Sequence, residues 1–362
     1  MDTTLSTLAA VGAAFGLPGA PVARDEIAMG NINRTYKVTY RTGAGEKDYL
    51  FQRVNTYVFR DAEALMANVD RVTAHLRAKR PGEVTLCYEH TADGNPFWRE
   101  GDAFWRVCNF IPSVAFMTAE DMEVARGAGV AFGDFQRAMA DFDPALLTET
   151  IPGFHDTRAR YAALRRSAAA DPVGRLAEVG AELDFLLSIE EAACLLTDGQ
   201  KRGDLPLRVT HNDTKLNNVL FDPVTRAPLA VIDLDTVMPG LVGHDFGDAI
   251  RFAANTVPDD APADQVRLEL SRFEAFADGF LSRTAAVLTP AERETLAASC
   301  LAMTAEVAVR FLTDYLDGDR YFKVRDPAHN LRRTRNQIAL ARGMLSHREE
   351  MEATVARLTD CC

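Results

Sequence analysis

Between residues 209 and 221 the chain runs Val209-Thr210-His211-Asn212-Asp213-Thr214-Lys215-Leu216-Asn217-Asn218-Val219-Leu220-Phe221, turns at Asp222-Pro223, and returns through Leu229-Ala230-Val231-Ile232 to Asp233. Two short apolar strands joined by a turn fix the ends of a polar loop. Asp213 lies two residues after a His, Asn218 five residues after that Asp, and Asp233 at the end of the returning strand. Three hard oxygen groups on one hairpin suit phosphoryl transfer, which asks for positioning and charge rather than covalent chemistry. In that reading Asp213 orients an acceptor hydroxyl and takes its proton. Asn218 and Asp233 hold magnesium against nucleotide phosphates. Lys215 reaches the moving phosphoryl group as a point charge. His211 is read as a brace for the loop.

The chain has 362 residues and a formal net charge of −12. That charge argues against nucleic acid as a partner, since phosphate backbones demand a basic face. Cys87, Cys108, Cys194, Cys300, Cys361 and Cys362 form no CxxC pair and read as reduced thiols of a cytoplasmic protein. No basic region followed by an apolar stretch opens the chain, and no segment is expected to span a bilayer. Neither a membrane nor an oligomer is implied.

Residues up to about 110 read as strand-rich with one long helix. Tyr36 to Tyr40 alternates with period two, Tyr49 to Val54 is its partner, and Gly43-Ala44-Gly45 turns between them. Leu65, Val69, Val72 and Leu76 share a helical face, and Phe104 to Cys108 is a further strand. Beyond 113 the pattern is mostly helical, with stretches expected at about 118–142, 156–168, 175–197 and 264–283. Thr289-Pro290-Ala291-Glu292 is a strong helix start. The expected class is α+β, bilobal and protein-kinase-like. A nucleotide-binding lobe covers 1–108, a hinge 109–113, and a helical catalytic and substrate-binding lobe 114–362.

On the nucleotide side, Gly30, Asn31 and Asn33 precede the first clear strand, where a glycine lets backbone N–H groups approach phosphates. Arg53, late in the next strand, suits a phosphate-binding cation, with Glu63 as its expected partner. Asn109 and Ile111, in the hinge Cys108-Asn109-Phe110-Ile111-Pro112, offer backbone groups to adenine.

These residues resemble the aminoglycoside phosphotransferase and choline kinase superfamily over roughly 25–345. Within it the chain looks most like the N-acetylhexosamine 1-kinases. The closer marks are Gly30-Asn31-Ile32-Asn33, Gln52-Arg53-Val54-Asn55, Phe104-Trp105-Arg106, His211 to Lys215, Asp233 to Gly240, Gly243 to Asp248, and Arg310 through Gly318-Asp319 to Tyr321-Phe322-Lys323. The resemblance implies ATP- and magnesium-dependent phosphorylation of the anomeric hydroxyl of N-acetylglucosamine or N-acetylgalactosamine. Asp213 would be the base, Asn218 and Asp233 the metal ligands, and Arg310 and Tyr321 sugar contacts. Arg34 departs from the pattern, a bulky cation where a smaller acidic or polar residue is expected.

The residues alone carry the sugar less far than the phosphoryl transfer. Arg310, Asp314, Asp317, Asp319 and Tyr321 gather at one helix end and offer a polyol site. Asp235 and the same carboxylates suit a cationic acceptor, so an amino alcohol, an aminoglycoside or a different sugar is the alternative. Asp245 is read as a brace of the catalytic loop, and His155-Asp156 as a further candidate. A metal phosphohydrolase built on His211, His244, Asp245 and Asp248 lacks enough histidines at metal spacing. A protein kinase would need an activation segment after Asp233, where the chain has Met238-Pro239-Gly240.

Overall fold

The computed structural model describes residues 4–27 and 33–360. Gly30 and Asn31 therefore lie outside the described residues. The chain forms two compact units. The first comprises Met1–Ser113 with Ala145–Thr150 and Ile232–Met238, and the second comprises the remainder. Two short segments from beyond residue 113 thus pack with the first unit, one of them carrying Asp233.

The first unit is built on helix α1 (Leu5–Ala14), strands β1 (Ala20–Ile27), β2 (Arg34–Thr42) and β3 (Gly45–Val54), helix α2 (Ala62–Lys79), and strands β4 (Trp98–Glu100) and β5 (Ala103–Asn109). The strands form one antiparallel sheet in the order β1-β2-β3-β5-β4. The two-residue turn at Gly43-Ala44 sets the β2–β3 register, Thr42 opposite Gly45 and Arg34 opposite Arg53. Tyr36, Val38 and Tyr40 alternate into the core, where they meet Leu8 and Val11 of α1, Phe15 just beyond it, and Phe51, Trp105 and Val107 of the neighbouring strands. The Tyr40 hydroxyl donates to the Leu8 carbonyl at 3.1 Å, so this buried polar atom is partnered. On α2, Asp61 caps the Ala64 N–H, and Leu65, Met66, Val69 and Val72 are buried.

The second unit is mostly helical: α3 (Met122–Ala138), α4 (Thr157–Ala170), α5 (Gly180–Ser188), α6 (Glu190–Ala193), α7 (Leu195–Arg202), α8 (Val242–Ala253), α9 (Leu270–Thr284), α10 (Pro290–Leu316), α11 (His329–Ser346) and α12 (Arg348–Asp360). Strand β6 (Arg208–Thr210) leads into the catalytic loop, and β7 (Val219–Phe221) pairs with β8 (Pro228–Val231), Val219 opposite Val231. Several helix boundaries differ from the sequence expectation. α3 starts at Met122 because Asp121, not Thr118, caps it through the Val124 N–H. The 175–197 stretch is three short helices, broken at Ile189 and Cys194, whose buried side chains stay on the core as the axis turns. α9 starts at Leu270, since Leu268 forms an extended bridge with Asn255.

α10 is the central helix. Thr289 and Glu292 form the expected capping box, with Pro290 in the first turn. Its 27 residues are, by length and composition, apolar enough to cross a membrane, contrary to the sequence expectation that no segment qualifies. The physical reason is its surroundings: α10 packs against α4, α8, α11 and α12, so it presents apolar residues on nearly every side. Its approach to α8 needs glycine, because a Cβ at Gly247 would sit 2.4 Å from the Ser299 carbonyl oxygen.

Candidate active site

The catalytic loop leaves β6 with Thr210, His211 and Asn212 all buried. Asn212 adopts φ +62°, a left-handed turn that Asn tolerates better than most residues. The turn exposes two successive amides, and Asp245 on α8 takes both: His211 N–H at 2.9 Å and Asn212 N–H at 2.8 Å. Gln136 donates to the same carboxylate at 2.7 Å. Thr214 closes the loop onto α8 twice, its hydroxyl to the Asp245 carbonyl and its N–H to Asp248 at 3.1 Å. The sequence reading of Asp245 as a brace thus has its geometry. His211 stands edge-on to Phe132 and Phe135, and its Nδ1 accepts the Asp213 N–H at 3.3 Å. Its ring serves the loop, and with Asp245 committed to amides the metal-hydrolase arrangement has no ligand set.

So braced, the loop presents Asp213, Lys215 and Asn218. The Asp213 side chain is 24% exposed, and Lys215 Nζ sits 2.7 Å from one of its oxygens and 3.0 Å from the other. Burial pushes the Asp213 carboxyl up, but the charge and hydrogen bond of Lys215 outweigh it and hold the group below its ordinary value. Asp213 is therefore an ionised acceptor. Asn218, 4% exposed, donates its amide to the Asp213 carbonyl at 2.8 Å. Its amide oxygen has no partner among the described residues. That leaves a hard oxygen of the kind magnesium takes.

A second cluster lies along one face of α10, where Glu306, Arg310 and Asp314 recur every four residues. The Arg310 guanidinium lies over Phe154 (5.2 Å), Phe322 (5.7 Å) and Tyr321 (5.9 Å), with no hydrogen bond to a described residue. Asp314 shapes that enclosure, accepting the N–H groups of Arg320, Tyr321 and Phe322 and the Asn330 amide. Asp319 is likewise taken, by Arg175 and Asn330. Tyr321 itself is 71% exposed. Upstream, Glu306 accepts from His155 at 2.8 Å and from Thr157 at 2.7 Å. Burial raises the Glu306 carboxyl, but His155 and then Arg310 bring it down to about 2. His244 lies tilted against His155 with centroids 4.6 Å apart, and burial followed by the repulsion of His155 lowers it to about 3. Adjacent residues of α8 therefore serve both clusters, His244 the second and Asp245 the first.

The remaining sequence candidates belong to the first unit. Asp233 follows Val231 of β8 by two residues, is exposed, and takes φ +60°. A left-handed Asp at this point is a mild strain of the kind that functional sites hold. Asp235, two residues on, is buried and pairs with Arg106 at 2.5 Å and with the Asn33 amide at 2.6 Å. Asn33 also accepts the Asn55 N–H at 3.0 Å, so both ends of its side chain tie the first unit together. The Asn109 side chain is similarly committed, to Cys87 N–H and the Thr85 carbonyl. Ile111 is buried and makes no N–H hydrogen bond to a described residue. Arg53 has no ion pair among the described residues. Glu63, its expected partner, instead meets Arg99 at 3.2 Å, which corrects that pairing. Arg34 lies 3.5 Å from Glu26 on the adjacent strand.

Sequence reasoning missed the Arg106–Asp235 pair and the His155–Glu306 pair as contacts. Their partners are 129 and 151 positions apart, and no local spacing signals them.

A model of the phosphotransferase enzyme family matches residues 25–286. Among solved structures, the aminoglycoside phosphotransferase of Alicyclobacillus acidocaldarius is similar at 16% identity and TM-score 0.59, covering 98% of this chain and 96% of that one. Spectinomycin phosphotransferase APH(9)-Ia, solved with ADP and spectinomycin, is similar at 12% identity and TM-score 0.57 over 95% of this chain and 99% of that one. Choline kinase from Cryptosporidium parvum is similar at 12% identity and TM-score 0.55 over 93% of both. These likenesses share the bilobal α+β class expected from the sequence. The chain belongs to the phosphotransferase enzyme family.

Proposed function

We propose that the protein is an ATP-dependent anomeric kinase of N-acetylhexosamines, transferring the γ-phosphoryl group to O1 of N-acetylglucosamine or N-acetylgalactosamine. The observation that carries the sugar is Arg310: a half-buried guanidinium lined by Phe154, Tyr321 and Phe322, with its donors unspent. Aromatic faces beside free hydrogen-bond donors suit a neutral polyol. The rival cationic acceptor, an amino alcohol or aminoglycoside, needs free carboxylates. Of its four candidates, Asp235, Asp314 and Asp319 are bound to internal donors, which disfavours it, and Asp317 alone has no side-chain partner among the described residues.

In this reading Asp213 orients the anomeric hydroxyl and accepts its proton. Lys215 keeps Asp213 ionised and offers charge to the phosphoryl group. Asn218 and Asp233 would hold magnesium, which supplies charge neutralisation at the nucleotide phosphates when bound. Arg53, with its side chain free, is assigned to those phosphates, together with the glycine segment at Gly30 and Asn31. The Ile111 N–H and the Asn109 backbone are assigned to adenine, and Asn33 to holding that segment in place. The reduced state of the described cysteines suits a cytoplasmic setting.

A panel of free sugars, choline and an aminoglycoside with ATP tests the substrate. We expect α-N-acetylhexosamine 1-phosphate and ADP, and no reaction of the α-methyl glycoside, whose anomeric oxygen is blocked. Phosphorylation of that glycoside at the parent rate would overturn the anomeric assignment. Inert N-acetylhexosamines beside a reactive choline would overturn the sugar and leave the kinase. Asp213→Asn should lower turnover by about 10²- to 10⁴-fold with nucleotide affinity unchanged. Turnover within about tenfold of the parent would remove Asp213 from the role of base.

A further inference from the structure

A second cation stands beside the catalytic loop that the reading above does not use. Arg251 lies one turn after Asp248 on α8, and both side chains are more than nine-tenths buried. Its Nε and Nη2 hold one Asp248 oxygen at 3.1 and 2.7 Å, and the other oxygen accepts the Thr214 N–H at 3.1 Å. The guanidinium plane rests on Phe252 with its carbon 4.0 Å from the ring centroid. Asp213 adjoins Thr214 in the chain, so one carboxylate fixes the loop and the guanidinium together. Nη1 makes no hydrogen bond to a described residue.

The charges around the loop make that spare donor informative. Lys215 is engaged with both oxygens of Asp213. The four groups Asp213, Lys215, Asp248 and Arg251 sum to zero, so an arriving polyanionic phosphoryl group meets no surplus charge from Lys215 alone. Arg251 also acts weakly on the pair: behind burial, Lys215 and His211 it pulls the Asp213 carboxyl down, and behind burial, Asp213 and Asp248 it opposes the Lys215 ammonium. A guanidinium held rigid by a carboxylate costs little reorganisation when charge develops, the condition under which a fixed donor favours a transition state. The link through Asp248 to the Thr214 N–H ties this guanidinium to the loop that carries Asp213.

We propose that Arg251, held by Asp248, is a further catalytic residue of this phosphotransferase, meeting the transferring phosphoryl oxygens through Nη1. The inference rests on the phosphoryl-transfer reading of Asp213 but not on the sugar. The acceptor in the test is whichever compound the panel selects.

Arg251→Met is expected to lower kcat by about 10²- to 10³-fold with the KM values of ATP and acceptor within about threefold. A second readout separates chemistry from folding: binding of ADP with aluminium fluoride and acceptor, a mimic of the transition state, measured by calorimetry. The variant should bind this mimic weaker by a factor similar to its kcat loss, while ADP alone binds as in the parent. Parent-like affinity for the mimic, or kcat within about threefold, would overturn the assignment of Arg251. If Arg251→Met does not fold, Arg251→Lys carries the same comparison. It keeps the charge but loses the fork geometry, and is expected to be weaker towards the mimic than the parent with ADP affinity unchanged. A parent that fails to bind the mimic would overturn both this proposal and the role of Asp213.

Discussion

Arg106 and Arg310 are both arginines set among aromatic rings, yet the molecule treats them in opposite ways. Arg106, 1% exposed, has Asp235 on one nitrogen and Gln52 on another, and it lies against Tyr88. Arg310 has three rings and no hydrogen-bonded partner among the described residues. A fully buried guanidinium is tolerable only when its donors are paired, because desolvation is otherwise prohibitive. A half-buried one can keep its donors for a ligand. The contrast separates charges spent on internal partners from charges left with donors over. Asp314 and Asp319 fall on the spent side despite standing beside Arg310.

The strongest way to break this contrast is Asp235→Ala. It strands the buried Arg106 guanidinium, and losing one partner of such a pair costs about 3–5 kcal/mol. Denaturant unfolding of the variant should show a large loss of stability, with no dependence on sugar. A loss below about 1 kcal/mol would mean that Arg106 finds another partner, and the distinction from Arg310 would fail.

Arg310→Ala should behave in reverse. Stability should change little, since no internal hydrogen bond is lost. The sugar KM should rise by about ten- to a hundredfold, the worth of one charged hydrogen bond of 1.5–3 kcal/mol, with the ATP KM nearly constant. Equal rises in both constants, or marked destabilisation, would move Arg310 to the structural side.

A subtler test concerns His244. Burial, then the repulsion of His155, keeps it neutral down to about 3, whereas the unfolded chain binds that proton near 6.5. Between those values the unfolded state holds more protons. Stability from this group is therefore lost as pH falls, at about 1.4 kcal/mol per pH unit. Glu306 holds His155 at 2.8 Å and, with a carboxyl lowered to about 2, adds its own loss only below its unfolded value. His244→Gln should flatten the dependence of the melting temperature on pH between 6.5 and 5. An unchanged slope would show that the imidazole is not the group responsible.

What the sequence revealed follows the reach of its signals. The β2–β3 hairpin, the β7–β8 hairpin and the Thr289–Glu292 cap depend on residues within a few positions of each other, so alternation, turn residues and cap spacing expose them. The order Asp213, Lys215, Asn218 is local for the same reason. The fate of Asp314 was not legible, because its four acceptor bonds depend on the backbone turn at 319–322 and on Asn330 of the next helix. Nor was the true partner of Glu63, since nothing near residue 63 points to Arg99. α10 was misjudged differently. Composition registers how apolar a helix is, and only packing reveals that protein rather than lipid surrounds it.

The neighbours His244 and Asp245 carry a consequence for how such an enzyme can diversify. One side chain touches the cluster of Arg310 and the next holds the catalytic loop, while Gly247 presses their helix against the Ser299 backbone. A substitution that rotates α8 to admit a new acceptor would drag the loop of Asp213 with it. With the Arg310 cluster assigned to the acceptor as proposed above, acceptor range drifts most freely through positions that α8 does not touch, such as Tyr321 and the exposed turn around it, and descendants of this chain should differ there first.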